Sequence, residues 1–585
     1  MNKGRQQDSG AVMQGKKYLW LLPKTTSSDV LALAAFYNIS TPIIQTLFGR
    51  GLSSKGAIDS YLFASFDHDV AHPAMLQDAQ KAVDRLRLAI DRGERILVFG
   101  DYDVDGMSAT ALVMYCLLSV GARINFYLPN RVTDGYGLSV DAIKKAAHNG
   151  YAVVITVDNG ITAFEPACVA KKLNVDLIIT DHHRPLATLP EAYAIVNPMR
   201  PDCSYPCKVL AGVGVAFKLM SLLFQDLKRP LPDKVYELLA IGTIADVVPL
   251  KEENRFWVRY GLAHINRGHS FPIQILKQNI NNTKESLAAL DIGFSIAPQL
   301  NALGRLSDPR KAIAFLIGSD KNLVVEVGQL LFEMNESRKQ VERSILHDVE
   351  SAILEKRIDV STENIIMAAH QSWPVGVIGL VASRLVSMYG KPALLFHLGN
   401  DGRAKGSGRS IAAFNLFEAL AANADILDSY GGHGAAAGLS LSLEKLELLK
   451  ERLEQRIQEQ LTPFDLQQKL ILDASIQLTE LTRKFMDDLA HLEPFGNQNE
   501  QPLFYIKQVV QVQKPLLLKD EHVKCQIFSD GVVKPMIFFN RPDLFQVLEA
   551  IKDQPFDCAA YVMENHWNGR VNIELQGIDI AIGNT

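Results

Sequence analysis

The chain has 585 residues, 48% hydrophobic and 21% charged, which excludes wholesale disorder. At about 100–200 residues per domain this length implies three or four domains. A formal net charge of −5 excludes a histone-like basic binder, but leaves a nucleic-acid substrate open, because basic residues can line a single groove.

Met1–Lys17 is polar and has no apolar run, so it reads as a disordered tail and not as a signal peptide. Residues 1–60 form a tail and lead-in segment. From 61 to 319 the pattern is that of an α/β unit. Short apolar runs at Arg95–Gly100, Ile124–Leu128, Ala152–Val157, Val175–Thr180 and Ala194–Val196 predict strands. Helical spacing falls between them near Ser108–Val120, Ser139–His148 and Ala163–Lys172, then at Val213–Leu227 and Asp233–Ala245. Continuous apolar strands alternating with helices argue for a parallel sheet covered on both faces. A mixed region near Asn254–Leu316 closes the unit.

Residues 320–357 read as one connecting helix, with Val324, Val327, Leu331, Met334, Val341, Ile345, Val349 and Ile353 at three- and four-residue spacings. A second α/β unit spans 358–460, with strands at Asn364–Ala369 and Ala393–His397 and a helix near Val377–Met388. Its glycines cluster at Gly402–Gly408 and Gly431–Gly438. Residues 461–585 carry short strand-like runs at Pro502–Val512, His522–Phe528, Val533–Phe539, Cys558–Glu564 and Arg570–Leu575, separated by turn signals such as Asp530-Gly531. This predicts a small β-barrel, with an OB-fold as one candidate.

The six cysteines form no CxxC pair, which suits free thiols in a reducing cytoplasm. Cys203 and Cys207 could form half of a zinc site, but no second pair stands at suitable spacing. No run of eighteen apolar residues occurs, so no membrane partner is expected.

The chemistry concentrates in four places. Asp101-Tyr102-Asp103-Val104-Asp105-Gly106 directly follows the strand Arg95–Gly100. Carboxylates crowded this closely repel one another unless a cation sits among them. An extended loop would aim Asp103 and Asp105 the same way. Asp158 ends the strand Ala152–Val157, and Asp181-His182-His183 ends Val175–Thr180. Parallel sheets gather ligands at the carboxyl ends of their strands, so these residues converge on one edge. Asp246 is a lone carboxylate in an apolar run near a helix end. Read singly, each residue has a plainer role as a turn, a cap or an ion-pair member. The Asp-x-Asp-x-Asp-Gly loop also opens an EF-hand, but Leu112 holds the position where that site needs Glu. Carboxylates with one or two imidazoles suit Mn²⁺ or Mg²⁺, and two such ions suit phosphoester hydrolysis.

These motifs, in this order, resemble the DHH phosphoesterase family. The resemblance implies that Asp103, Asp105, Asp158, His182 and Asp246 bind two Mn²⁺ or Mg²⁺ ions, with Asp105 or Asp158 bridging them. It implies that His183 contacts the scissile phosphate, with Asp101 as a further catalytic residue and Asp181 orienting the histidines. Residues 358–460 resemble the associated DHHA1 domain through Gly406-Ser407-Gly408-Arg409-Ser410 and Gly431-Gly432-His433-Gly434. Ser407, Arg409 and His433 are accordingly expected to bind substrate phosphate, together with Arg131 and Arg305. The expected fold class is α/β: a parallel-sheet DHH domain, a long connecting helix, a DHHA1-type domain and an OB-like barrel.

Gly100–Gly106, Pro298–Arg305 and Glu493–Asn497 look like segments of the family's single-strand-specific DNA exonucleases. This implies 5′→3′ degradation of single-stranded DNA, 5′-phosphorylated at its end, in recombination and repair. It also implies a single-strand-binding protein and a helicase as partners. Tyr505, Phe528, Phe538, Phe539 and Trp567 are candidate stacking residues of the barrel, although core packing competes for most of them. The rival readings are a DHH enzyme for short oligoribonucleotides or cyclic dinucleotides, which would lack the terminal barrel, and a catalytically dead DNA-binding scaffold, which would lack metal ligands.

Overall fold

The computed structural model describes residues 11–129, 137–280, 284–305, 309–567 and 570–583. The chain divides into two units. One contains Ser54–Asn335 with Ala490–Gln501, and the other contains Met1–Ser53, Glu336–Leu489 and Pro502–Thr585.

The first unit is built on a five-stranded parallel sheet in the order Arg123–Tyr127, Arg95–Phe99, Tyr151–Val157, Asp176–Thr180, Ala194–Val196. Successive strand residues face opposite layers. Ile96, Val98, Ile155 and Val157 join one core with residues of the helices Ala79–Asp91, Val104–Ser119 and Gly212–Asp226. Leu97, Phe99, Val154, Leu177 and Ile179 join the other with residues of Val140–His148 and Phe164–Lys172. Burial on both faces explains the unbroken apolar runs of these strands. The chain starts in Arg95–Phe99, moves to one side of it, then returns to Tyr151–Val157 on the other side. This makes a topological switch point between those two strands, where open α/β sheets leave a crevice at the strand ends.

In the region 254–316, expected to be mixed, the regular elements among the described residues are all helical. The region contains Glu252–Asn266, Phe271–Asn279, Ala297–Leu300 and Pro309–Ile317, with a π-helical turn at Ile292–Ile296. Proline stands in the first turn of three of these helices, where its missing N–H costs nothing.

The helix Lys321–Leu354 spans the predicted stretch. Its apolar stripe serves two cores: Val324, Val327 and Leu331 lie in the first unit's core, and Ile345, Leu346 and Val349 pack with Val377, Ile378 and Val381.

The second unit holds a five-stranded sheet in the order Ser429–His433, Ala436–Ser442, Arg403–Arg409, Ala393–Leu398, Ile366–His370. Both glycine clusters therefore lie largely in strands and not in tight turns. In the first cluster packing requires glycine: a Cβ at Gly406 would stand 2.4 Å from the Phe396 ring, and one at Gly408 2.7 Å from Leu416.

The terminal barrel matches the expected strands, but its last hairpin, Phe556–Trp567 with Arg570–Ile582, runs well past the predicted ends. The expectation of a disordered tail fails within the described residues. Val12–Gln14 and Leu19–Leu21 form a sheet with Lys469–Ile471. Trp20 is fully buried and donates to Asp579 Oδ2 at 3.1 Å. The Asp579 carboxylate also accepts from the backbone of Lys17 and Tyr18 and from Arg541, so this buried charge is satisfied. Among the described residues no helix is long and apolar enough to cross a membrane.

Candidate metal centre

The aspartates and histidines expected at the strand ends gather at the switch point. Three sets have ligand atoms within 4.8 Å of one another: Asp101, Asp103 and Asp158; Asp105, His182 and Asp246; and Asp158, His182 and His183. The geometry of the first loop differs from expectation. The helix begins at Val104, four residues before the predicted start, with Asp103 as its N-cap accepting from Gly106 N at 3.0 Å. The stretch is therefore not extended, and Asp103 and Asp105 fall in different sets. Capping decides this, because an unpaired first-turn N–H takes the nearest carboxylate.

Asp105 is buried and accepts from Gly212 N at 2.7 Å and Val213 N at 2.8 Å. Those two N–H groups open the helix Gly212–Asp226, whose dipole favours the negative charge. Sequence reasoning missed this support. Its trace was the run Ala211-Gly212-Val213-Gly214, since a Cβ at Gly212 would collide with Asp158 Oδ1 at 2.5 Å. Asp158 takes a left-handed φ of 63°. The buried Asn159 beside it donates to Val157 O at 2.9 Å and Phe99 O at 3.4 Å, tying the two central strand ends together.

His182 Nε2 lies 3.1 Å from Asp158 Oδ1 and 3.7 Å from Asp246 Oδ2. Both carboxylate oxygens are buried without a hydrogen-bond partner. Buried oxygens in that condition are costly unless a cation meets them, and this oxygen-rich set with imidazole fits Mn²⁺ or Mg²⁺. Asp181 does not share this condition. It accepts from the backbone of Ile161, His182 and His183 and from His183 Nδ1 at 2.7 Å. It orients His183 so that Nε2 remains the outward ring nitrogen.

Electrostatics describe a site prepared for positive charge. Burial pushes the Asp105 and Asp158 carboxyls well above the usual range, and neighbouring carboxylates add to it. Burial, helped by Asp103, moves Asp246 up to about 7. Burial, helped by His183, moves His182 down to about 4, leaving it as a neutral imidazole. Burial works to lower His183 too, but its bond to Asp181 outweighs that and holds it above the ordinary value. Asp181 is held below its ordinary value by the same bond, against burial.

A pH dependence follows. A carboxyl raised in the folded state makes that state bind more protons than the unfolded chain, so its contribution to stability falls as pH rises through the folded pKa. His182 acts oppositely, but only between about 4 and its ordinary 6.5. Above 6.5 Asp246, through about 7, and the raised His183 act in one direction. The melting temperature in chelator should therefore fall between pH 6.5 and 8, while Mn²⁺ should progressively widen the gap to the chelated protein. Parallel melting curves with and without Mn²⁺ would count against cation binding here.

Ser407, Arg409 and His433 lie in the second unit and share one sheet face. Arg409 and His433 both pair with Ala436 in register, and Ser407 is two residues from Arg409 on its strand. The Arg409 guanidinium donates to Ser407 Oγ at 3.1 Å and Gly408 O at 2.9 Å and has no carboxylate partner among the described residues. Burial lowers its pKa. Arg131 lies outside the described residues, as does the side chain of Arg305, whose backbone ends the 3₁₀ turn Leu303–Arg305. Cys203 and Cys207 are buried, free thiols in no metal-competent group among the described residues. Of the candidate stacking residues, Tyr505 and Phe538 are buried, whereas Phe528 and Phe539 are exposed. The side chain of Trp567 is outside the described residues.

Comparison with known proteins finds three family models along the chain: the DHH family N-terminal domain at residues 95–243, the DHHA1 domain at 362–459 and the RecJ OB domain at 472–579. The single-stranded-DNA-specific exonuclease RecJ of Bacillus subtilis (strain 168) is 32% identical over 572 residues, covering 97% of this chain and 72% of that protein. RecJ of Escherichia coli (strain K12) is 36% identical over 453 residues, covering 73% and 78%. The crystal structure of RecJ in complex with Mn²⁺ from Thermus thermophilus superposes with a TM-score of 0.81 at 26% identity, over 97% of this chain and 80% of that one.

Proposed function

Because the chain belongs to the RecJ family of single-stranded-DNA-specific exonucleases, we propose that its strand-end carboxylates hold two Mn²⁺ or Mg²⁺ ions and that it hydrolyses single-stranded DNA 5′→3′, in recombination and repair. The observation that carries this reading is the pair of buried, partnerless oxygens, Asp158 Oδ1 and Asp246 Oδ2, beside His182 Nε2. RecJ from Thermus thermophilus has been solved with Mn²⁺ and with Mg²⁺.

In this reading Asp103, Asp105, Asp158, His182 and Asp246 are the metal ligands. The bound ions would supply an activated water and charge stabilisation for the departing oxygen. The neutral form of His182 needs no deprotonation to act as a ligand. His183, aligned through Asp181, donates from Nε2 to the scissile phosphate, and Asp101, beside Asp103 and Asp158, acts as a further catalytic residue. The Gly212 and Val213 N–H groups hold Asp105 in one orientation and so limit rearrangement during turnover. Ser407, Arg409 and His433 receive a 5′ phosphate, with Arg131 and Arg305 as further phosphate contacts. The barrel adds a surface for the strand through Phe528 and Phe539.

The domains in this proposal are a lead-in at 1–60, the DHH domain at 61–319, the connecting helix at 320–357, the DHHA1 domain at 358–460 and the OB-like domain at 461–585. A cytoplasmic location, a single-strand-binding protein and a helicase complete the reading.

The test is a duplex with one 5′ overhang and one 3′ overhang, each labelled, incubated with Mn²⁺. Mononucleotides should be released only from the 5′ overhang. If both overhangs survive while short oligoribonucleotides or cyclic dinucleotides are cleaved, the exonuclease reading fails although the metal site stands.

A further inference from the structure

The sequence motif Glu493-Pro494-Phe495-Gly496-Asn497 has no part in the chemistry above, yet it packs in the first unit, far in sequence from the residues it meets. Asp246 is the C-cap of the helix Lys234–Ala245, and the next residue, Val247, has a φ of +58°. A β-branched side chain in the left-handed region is strained and persists only when its surroundings hold it. Val247 is 63% exposed, so its side chain supplies little of that restraint. Val247 N donates to Ile244 O at 3.2 Å, and the restraint on its carbonyl side comes from the motif. Asn497 Nδ2 donates to Val247 O at 2.6 Å, and Leu250 N donates to Asn497 O at 2.8 Å. One residue thus brackets the turn that leaves Asp246.

The bracket is itself anchored. Arg255 is buried and donates to His491 O at 2.7 Å and Glu493 O at 2.9 Å. Asn499, also buried, donates to Leu492 O at 3.0 Å and Pro494 O at 2.8 Å and accepts from Tyr61 Oη at 2.7 Å. Gly496 lies against Leu250 so closely that a Cβ there would be 2.6 Å from Leu250 Cδ1. On the opposite side Asn254 Nδ2 donates to Pro249 O at 3.1 Å.

We propose that Asn497 is a positioning residue for Asp246: it holds the strained Val247–Leu250 turn and so fixes the carboxylate where the cation binds. The proposal rests on the reading of Asp246 as a metal ligand. Asn497 touches neither metal nor substrate. When it is removed, Val247 relaxes toward negative φ and the helix end carrying Asp246 turns with it.

The experiment is calorimetric titration of Mn²⁺ into the full chain without DNA, for the native protein and for Asn497→Ala, Asn497→Ala with Val247→Gly, Gly496→Ala and Asp246→Ala. Asn497→Ala should weaken Mn²⁺ binding by roughly tenfold, the scale for groups that orient a ligand. It should raise the Mn²⁺ concentration for half-maximal hydrolysis equally and leave KM for DNA unchanged at saturating metal. Gly496→Ala, which displaces Leu250, should weaken Mn²⁺ binding in the same direction. Adding Val247→Gly should restore most of the affinity lost in Asn497→Ala, because glycine holds the left-handed φ without strain. A merely structural role for Asn497 would not be rescued by a change at Val247. Native Mn²⁺ affinity in Asn497→Ala, or a double variant no better than the single one, overturns the proposal. If Asp246→Ala itself binds Mn²⁺ like the native protein, the assignment of Asp246 fails first and the positioning role falls with it.

Discussion

Asp105→Ala is expected to lower hydrolysis of single-stranded DNA by about 10³-fold or more while leaving a folded protein. A metal-bound site supplies several kcal/mol of transition-state stabilisation, and about 4 kcal/mol corresponds to that factor. The fold should survive because Asp105 is a cost in the metal-free protein. It is buried, its carboxyl is pushed up by burial and by Asp246 and Asp103, and its compensation comes from two backbone N–H groups. Alanine removes the repulsion together with those bonds. Melting in chelator should therefore change little, or rise at pH 8, and the extra stability conferred by Mn²⁺ should shrink. Near-native turnover in this variant would sink the assignment of Asp105 as a ligand.

The second large effect is expected at Arg409, and on binding. Arg409→Ala should weaken binding of 5′-phosphorylated single strands by about 10- to 100-fold, the worth of a charge-assisted hydrogen-bond pair. Strands ending in a 5′ hydroxyl should lose far less. The basis is a partly buried guanidinium that bonds only to a hydroxyl and a carbonyl among the described residues, with no carboxylate to neutralise it. A burial that lowers its pKa without an ion pair is tolerable at a place where an anion arrives. Arg409→Lys should recover only part of the loss, since an ammonium cannot fork onto two phosphate oxygens. Equal losses on the two kinds of end would remove Arg409 from phosphate recognition.

Much of the architecture could be read without coordinates, for identifiable reasons. Strands buried on both faces leave unbroken apolar runs, so all five strands of the first sheet lie within a residue or so of their predicted positions. The single stripe on Lys321–Leu354 announced a long connecting helix, but not which of its residues join the first unit's core and which a different one. The glycine clusters could not be placed in turns or strands from the sequence, because glycine has two uses: freedom at positive φ, and absence of a side chain. At Gly406 and Gly408 the second applies, and the partner that requires it, Phe396 or Leu416, is not local. Trp20 was missed for a related reason, since its partner Asp579 stands at the other end of the chain.

The candidate centre divides in the same way. The residues that reach the strand ends are legible in the chain, because carboxylates and imidazoles immediately after apolar parallel strands have one edge to occupy. How they are held is a property of the assembled fold. The helix N-terminus at Gly212 that supports Asp105, the capping that separates Asp103 from Asp105, and the bracket of Asn497 on the turn after Asp246 all join segments distant in sequence or depend on which N–H group is left unpaired. Periodicity records which face of an element is buried, whereas these contacts depend on what the fold brings against it.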